Sequence, residues 1–250
     1  TPLFAQKADK IITVSEFSRQ DIIAHYNVKP SKIDVIYNGA SEAYKPLSEK
    51  ERAAVRNTYA QGMPYFIYVG SIHPRKNVKN LLLAFDAFKA TNHTDHKLVI
   101  AGRMAWKTEE TKTVYEQMQF KDAVIFTGHL QLGQIAELMG AAEALVYPSL
   151  FEGFGIPVLE ARYCNVPVLC SNYSSIPEVG GENAIYFNPE RIDEITAAMT
   201  NFVAHSAQYK QLFQNSYQVK KQFSWDISVD KMEQTIASMD KRFVPKLALH

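Results

Sequence analysis

From Pro64 onward the chain alternates short apolar runs with longer stretches in which apolar residues recur at helical spacing. Tyr65 to Val69, Lys97 to Ala101, Ala123 to Phe126, Ala144 to Tyr147, Val168 to Ser171 and Ala184 to Phe187 read as six strands. The alternation is that of a parallel sheet covered by helices. After the first run, Val78, Leu81, Leu82, Phe85 and Phe88 make one helical stripe, with Asn77 as the expected cap, and Ile192, Ile195, Met199, Phe202 and Val203 repeat the stripe late in the chain. Both stripes are core faces. The expected fold class is therefore α/β, a doubly wound parallel six-stranded sheet.

The first 62 residues stand outside that alternation. Lys10 to Ser15 reads as a strand, Glu16 to Tyr26 as a helix, Ile33 to Tyr37 as a strand and Asn38-Gly39 as a turn. Two strands and a helix are too small a core to stand alone. They read as the remnant of an N-terminal domain and its connection, followed by a helix near Ser48 to Tyr59 and the linker Gln61 to Pro64. The expected division is 1–62 for this remnant, 63–222 for the sheet domain and 223–250 for a terminal helix and tail. On that helix Trp225, Val229, Met232, Ile236 and Met239 form a narrow apolar stripe that asks for a partner surface, with the N-terminal segment as the candidate.

Composition excludes several function classes. Lys plus Arg is 27 and Asp plus Glu 26, which leaves no basic excess for a general nucleic-acid binder. Cys164 and Cys170 are the only cysteines and sit in apolar surroundings, as buried thiols of a reducing compartment do. No run approaches the ~20 apolar residues of a membrane span, and Thr1 to Lys7 has no signal-peptide core. The expected location is cytoplasmic, with peripheral contact at the inner face of a membrane left open.

The chemistry is expected where ligands bind such a sheet: outside the carboxyl ends of the strands, where the strand order 3-2-1-4-5-6 reverses between its first and fourth members. Two loops meet there, Gly70 to Asn77 and Pro148 to Gly155. In the second, Glu152 and Glu160 stand eight residues apart around Gly153-Phe154-Gly155, and Pro157 sits in the first turn of the next helix. Glycines allow close backbone approach, and the free amides of a first helical turn favour an anion. Glu152 is expected to point into the cleft, with Glu160 one turn inside the helix. Arg75 and Lys76 add positive charge suited to a diphosphate. Singly, each of these residues has a plainer reading, as a helix-dipole partner worth about 0.3–1 kcal/mol or as a solvated basic pair; their convergence favours a site. His73 and His129 read as loop residues, and the hydroxyls of Ser171 to Ser175 either line the pocket or cap a short helix. Dinucleotide and P-loop glycine patterns are absent, and so is Asp-x-Asp, so neither a metal held by paired aspartates nor a separate cofactor is expected.

These residues resemble the retaining glycosyltransferases of family 4, with the two-domain GT-B architecture. The resemblance rests on Val14 to Ser18, Asn38-Gly39, Tyr68 to Gly70 followed by Arg75-Lys76-Asn77, Ala101-Gly102, Phe126 to Gly128, Pro148-Ser149, Phe151 to Ala161 and Pro177-Glu178. It implies that the sheet is the Rossmann-like C-terminal half of a GT-B fold and that the N-terminal domain is largely missing. By the same resemblance, Arg75 and Lys76, beside Gly70, bind the donor diphosphate. Glu160 binds the ribose, Glu152 with the amides of Gly153, Phe154 and Gly155 the transferred sugar, and the backbone near Leu130 the base. Ser71 stands where many relatives carry an arginine. The implied reaction moves a hexosyl group, mannose first, from a nucleotide diphosphate sugar to a glycan or lipid-linked acceptor; GDP-mannose is the favoured donor and a UDP-sugar the next. Glu152 would orient and stabilise in a front-face displacement. The alternatives are a donor-binding module that needs a partner for transfer, and a sugar-nucleotide epimerase on the same fold.

Overall fold

The computed structural model describes residues 2–103 and 109–239, so the part of the expected 223–250 helix and tail from residue 240 onward lies outside the described residues. In chain order the elements are helix α1 (Pro2–Lys7), strand β1 (Ile11–Thr13), α2 (Glu16–Tyr26), β2 (Ile33–Val35), α3 (Glu49–Ala60), β3 (Tyr65–Val69), α4 (Val78–Asn92), β4 (Lys97–Ala101) and α5 (Glu109–Gln117). There follow β5 (Val124–Gly128), α6 (Leu132–Ala141), β6 (Ala144–Tyr147), α7 (Ile156–Tyr163), β7 (Val168–Ser171), α8 (Ile176–Gly180), β8 (Ile185–Phe187), α9 (Ile192–Ala204), α10 (Ser206–Leu212), α11 (Ser216–Gln222) and α12 (Trp225–Met239).

Six strands form one parallel sheet in the order β5-β4-β3-β6-β7-β8, with the reversal between β3 and β6. All six expected strands are present, with small shifts at three ends. Ala123 belongs to a short 3-10 turn and the strand runs on to Gly128, while Ala184 precedes β8. Every residue of β3 is buried, because helices cover both faces of a central parallel strand. Phe66 of β3 meets Phe88 of α4 and Phe202 of α9 edge to face, at centroid separations of 5.5 and 5.9 Å. The two helical stripes thus close over one side of the sheet, and truncating such a ring typically costs about 3–5 kcal/mol.

The N-terminal segment forms its own two-stranded parallel sheet, with Ile11 opposite Ile33. Helix α3 begins with a capping box between Ser48 and Glu51. From its side Arg52 and Arg56 donate to the last carbonyls of α6 at Gly140, Ala141 and Ala142, and Arg56 pairs with buried Glu143 at 2.6 Å. These bonds satisfy a helix C-terminus that would otherwise be left unpaired.

Helix α12 corrects the expectation for its apolar stripe. It docks on the N-terminal segment through small polar residues: Ser228 donates to the Tyr37 carbonyl, and Thr235 to Asp34 at 3.1 Å. Val229, Met232, Ile236 and Met239 remain exposed, as does about half of Trp225, the base of whose ring packs against Gly39. Ser228 and Thr235 are the buried positions of this helix, and they bond the Tyr37 carbonyl and the Asp34 carboxylate. Among the described residues no helix is long and apolar enough to cross a membrane.

Candidate active site

The loop after β3 is held close to the loop after β4. A Cβ added at Gly102 would lie 1.9 Å from the Gly70 carbonyl oxygen, so only glycine lets these backbones cross. The chain then makes a 3-10 turn at Pro74–Lys76, which His73 caps by accepting from the Arg75 amide at 3.2 Å. Asn77 is left-handed, with φ 57°, and its side chain makes no cap bond to α4, contrary to expectation. Its buried amide donates instead to the carbonyls of Pro148, at 3.2 Å, and Pro189, at 2.7 Å, tying three loops together. The Leu150 amide donates to the Arg75 carbonyl at 2.9 Å. The loops after β3 and β6 are thus joined by backbone as well as side chains.

Between these loops lies a compact charge cluster. Glu152 is buried and points between the two loops, at Lys76 and Arg75. Its Oε1 accepts from Lys76 Nζ at 2.6 Å, Ser149 Oγ at 2.6 Å and the Tyr147 hydroxyl at 2.9 Å. Arg75 reaches Oε2 at 3.1 Å and also donates to the Phe151 carbonyl. This direction has a plain cause: two cations and two hydroxyls lie on that side. Burial works against the charge of Glu152, but hydrogen bonds from Lys76 and Ser149, the Lys76 charge and the Tyr147 hydroxyl outweigh it and hold the carboxyl below its ordinary value. Lys76 also lies 2.7 Å from the Tyr147 hydroxyl, which burial and the Glu152 charge keep protonated well above the usual tyrosine range. One carboxylate against two cations leaves the cluster with a net single positive charge.

The turn that carries Glu152 is gripped from beneath by the loop after β7. Ser174 Oγ accepts from the Glu152 amide at 3.0 Å, and Ser175 Oγ donates to the Glu152 carbonyl at 2.8 Å. Tyr147, Ser149, Ser174 and Ser175 were not assigned to the cluster from sequence. Tyr147 reads there as strand interior, Ser149 only as part of the loop after it, and Ser174 and Ser175 equally as caps; the one available signal was the run of hydroxyls at the carboxyl end of the fifth strand of the sheet.

The remaining expected residues are distributed as follows. Gly155 takes a left-handed conformation, φ 100°, at the start of α7, and Pro157 follows in its first turn. Gly153 has room for a Cβ, whose nearest neighbour would be Val14 at 3.9 Å. The Phe154 ring is buried against Tyr37 and Phe223, so its side chain belongs to the core. Glu160 is half-buried beside the Tyr44 hydroxyl, and burial raises its carboxyl to about 7 against one lowering hydrogen bond from Tyr44. No hydrogen bond or ion pair among the described residues joins it to Arg75 or Lys76. Leu130 is half-buried two residues beyond edge strand β5, and His129 beside it is exposed. Among the described residues no three His, Cys, Asp or Glu side chains group as metal ligands.

A parallel sheet with this reversal, carrying a cationic loop and a glycine-rich helix start at its carboxyl edge, defines a Rossmann-like domain of the GT-B type. The chain belongs to the glycosyl transferases group 1 family, whose family model matches residues 49–219, and glycosyltransferase family 4 matches residues 2–43. It is 32% identical over 222 residues to O-antigen chain mannosyltransferase B of Escherichia coli, covering 88% of this chain and 58% of that protein. It is 29% identical over 215 residues to O-antigen chain mannosyltransferase RfbU of Salmonella typhimurium, covering 82% of this chain and 56% of that one. The chain thus spans little more than half the length of these relatives. Its fold matches that of Anabaena HepE in complex with UDP and glucose, with a TM-score of 0.85 at 19% identity over 94% of this chain and 65% of that chain.

Proposed function

We propose that this chain supplies the donor half of a retaining glycosyltransferase that moves a hexosyl group, mannose first, from a nucleotide diphosphate sugar to a glycan or lipid-linked acceptor. The observation that carries the reading is the cluster of Lys76, Arg75 and Glu152 at the sheet's point of reversal, next to the start of α7. The net positive charge suits a diphosphate, and donors fixed before the reaction stabilise charge as it develops on a departing phosphate. Lys76 is held by Glu152 and Tyr147, so its position is set in advance. Glu152, tied to both cations, orients the sugar rather than serving as a free nucleophile. Glu160 is assigned to the ribose, where a carboxyl poised near neutrality accepts hydroxyl hydrogen bonds in either protonation state.

Mannose is favoured because two of the relatives above are named as mannosyltransferases, and GDP-mannose is the first donor to try. A UDP-sugar is second, since the HepE structure holds UDP and glucose. No metal is assigned to the diphosphate, because Arg75 and Lys76 supply positive charge.

The test is calorimetric titration of the chain with GDP, UDP and ADP and their sugar conjugates, followed by product analysis with a mixed acceptor pool. Binding of one nucleotide diphosphate sugar, lost in K76A, is expected. Absence of binding to every nucleotide, or binding that survives K76A unchanged, refutes the assignment.

A further inference from the structure

Two short motifs, Val14 to Ser18 and Pro177-Glu178, have no role in the donor cluster, and they lie on opposite sides of it in sequence. The fold brings them into contact. Glu178 Oε2 accepts from the Glu16 amide at 2.8 Å and Oε1 from the Phe17 amide at 2.6 Å, across about 160 residues of chain. The Tyr37 hydroxyl adds a longer bond of 3.4 Å to the same carboxylate. Ser15 Oγ accepts from the Ser18 amide at 3.0 Å, so the donors of the first turn of α2 are all taken. A carboxylate at a helix N-terminus also gains from the helix dipole.

The first turn of α2 bears directly on the turn that carries Glu152. Ser18 Oγ donates to the Gly153 carbonyl at 3.3 Å, and the Phe17 ring meets Phe151 edge to face at 5.7 Å. Glu178 follows Ser174 and Ser175, which bond the Glu152 amide and carbonyl. One five-residue segment therefore grips the turn from beneath and, through α2, presses on it from the side.

We propose that Glu178 is a positioning residue that clasps the N-terminus of α2 and thereby holds the Phe151 to Gly155 turn in the geometry that brings Glu152 to Lys76. Its effect on sugar handling rests on the function proposed above; the clasp does not.

The test reads amide hydrogen exchange along this chain, without ligand, in E178A, E178Q and E16P. Proline at the first helical position removes the Glu16 donor while leaving Glu178 in place and the helix intact, and E16A controls for loss of the Glu16 side chain. Exchange of the Glu152 amide, which Ser174 Oγ holds, is expected to accelerate about tenfold in E178A and by less in E16P, which keeps the Phe17 donor. E178Q, which keeps one acceptor oxygen, should lie between E178A and the wild type, and E16A should match the wild type. The double variant E16P/E178A should be no faster than E178A alone, which already removes the bond that E16P breaks. In parallel, GDP affinity should stay within about twofold, because Arg75 and Lys76 are untouched, while the extra affinity contributed by the sugar falls several-fold. Unchanged exchange in the turn overturns the proposal whatever the binding result, and E16P decides the matter if E178A does not fold. Failure of the wild type to bind any nucleotide would strike the proposed function and leave the exchange result standing.

Discussion

Lys76 Nζ lies 2.6 Å from Glu152 Oε1, and both side chains are largely out of solvent, at 13% and 10% exposure. The pair joins the loop after β3 to the loop after β6 across the sheet's point of reversal. It is structural as well as chemical, because a carboxylate buried this deeply stays charged only while its partners remain.

Replacing Lys76 by Met is accordingly expected to destabilise the fold by about 3 kcal/mol, near the low end for breaking a buried pair, since Arg75, Ser149 and Tyr147 still serve Glu152. K76M/E152Q should recover part of that loss by removing the stranded charge. Urea unfolding of the two single variants and the double one measures the coupling. A K76M protein as stable as the wild type would show that the pair carries no weight in the fold.

The sheet was legible in the sequence because a parallel strand buried on both faces is an unbroken apolar run, as Tyr65 to Val69 and Ala144 to Tyr147 are. The meeting of the Arg75-Lys76 loop with the Glu152 turn was legible for the same reason: strand order fixes where loops go. The partners of each side chain were not legible. Glu152 is held by Ser149 and Tyr147, close to it in sequence, and by two cations on a loop some 75 residues away, and no spacing rule encodes that set of partners. Asn77 read as a cap from residue type, but its left-handed backbone sent the amide to two distant carbonyls. Helix α12 misled in another way. Its apolar periodicity is real, yet its buried positions are Ser228 and Thr235, which bond the Tyr37 carbonyl and the Asp34 carboxylate.

Glu160 makes stability depend on pH near neutrality. Burial lifts its carboxyl from 4.5 to about 7, so the folded state holds the proton more tightly than the unfolded one. Its contribution is therefore complete below the unfolded value and is lost as pH rises through about 7. After allowance for partial solvent screening, the loss between pH 5 and 8 is expected to be about 1–3 kcal/mol. E160Q should flatten that part of the profile, matching the wild type at acid pH and exceeding it at pH 8. Thermal unfolding of both proteins across the range is the measurement, and parallel curves would contradict the raised value.

Arg75 is the more exposed of the two cations, at 44%, and its contact with Glu152 is longer than that of Lys76. If the pair meets a diphosphate, R75A should weaken GDP binding by roughly 1.5–3 kcal/mol, as loss of a charge-assisted hydrogen bond does. GMP, which lacks the second phosphate, should lose much less. Chelator should change neither affinity. Calorimetry that registers GDP binding only with magnesium or manganese present would remove the metal-free assignment.

Helix α12 yields a prediction opposite to the usual rule for apolar and polar residues. Ile236 is 41% exposed, whereas Thr235 beside it is 7% exposed and donates to Asp34 at 3.1 Å. Ile236→Gln should therefore leave stability within about 0.5 kcal/mol of the wild type, as ordinary surface substitutions do. Thr235→Val, nearly the same shape, should cost about 1–2 kcal/mol, because it strips a hydrogen bond from a half-buried carboxylate that Lys10 also serves at 3.0 Å. The loss should shrink in a D34N background, where the acceptor no longer carries charge. A larger penalty for Ile236→Gln than for Thr235→Val, measured by denaturant midpoint on this chain, would mean that the outward stripe and not the polar face secures the helix.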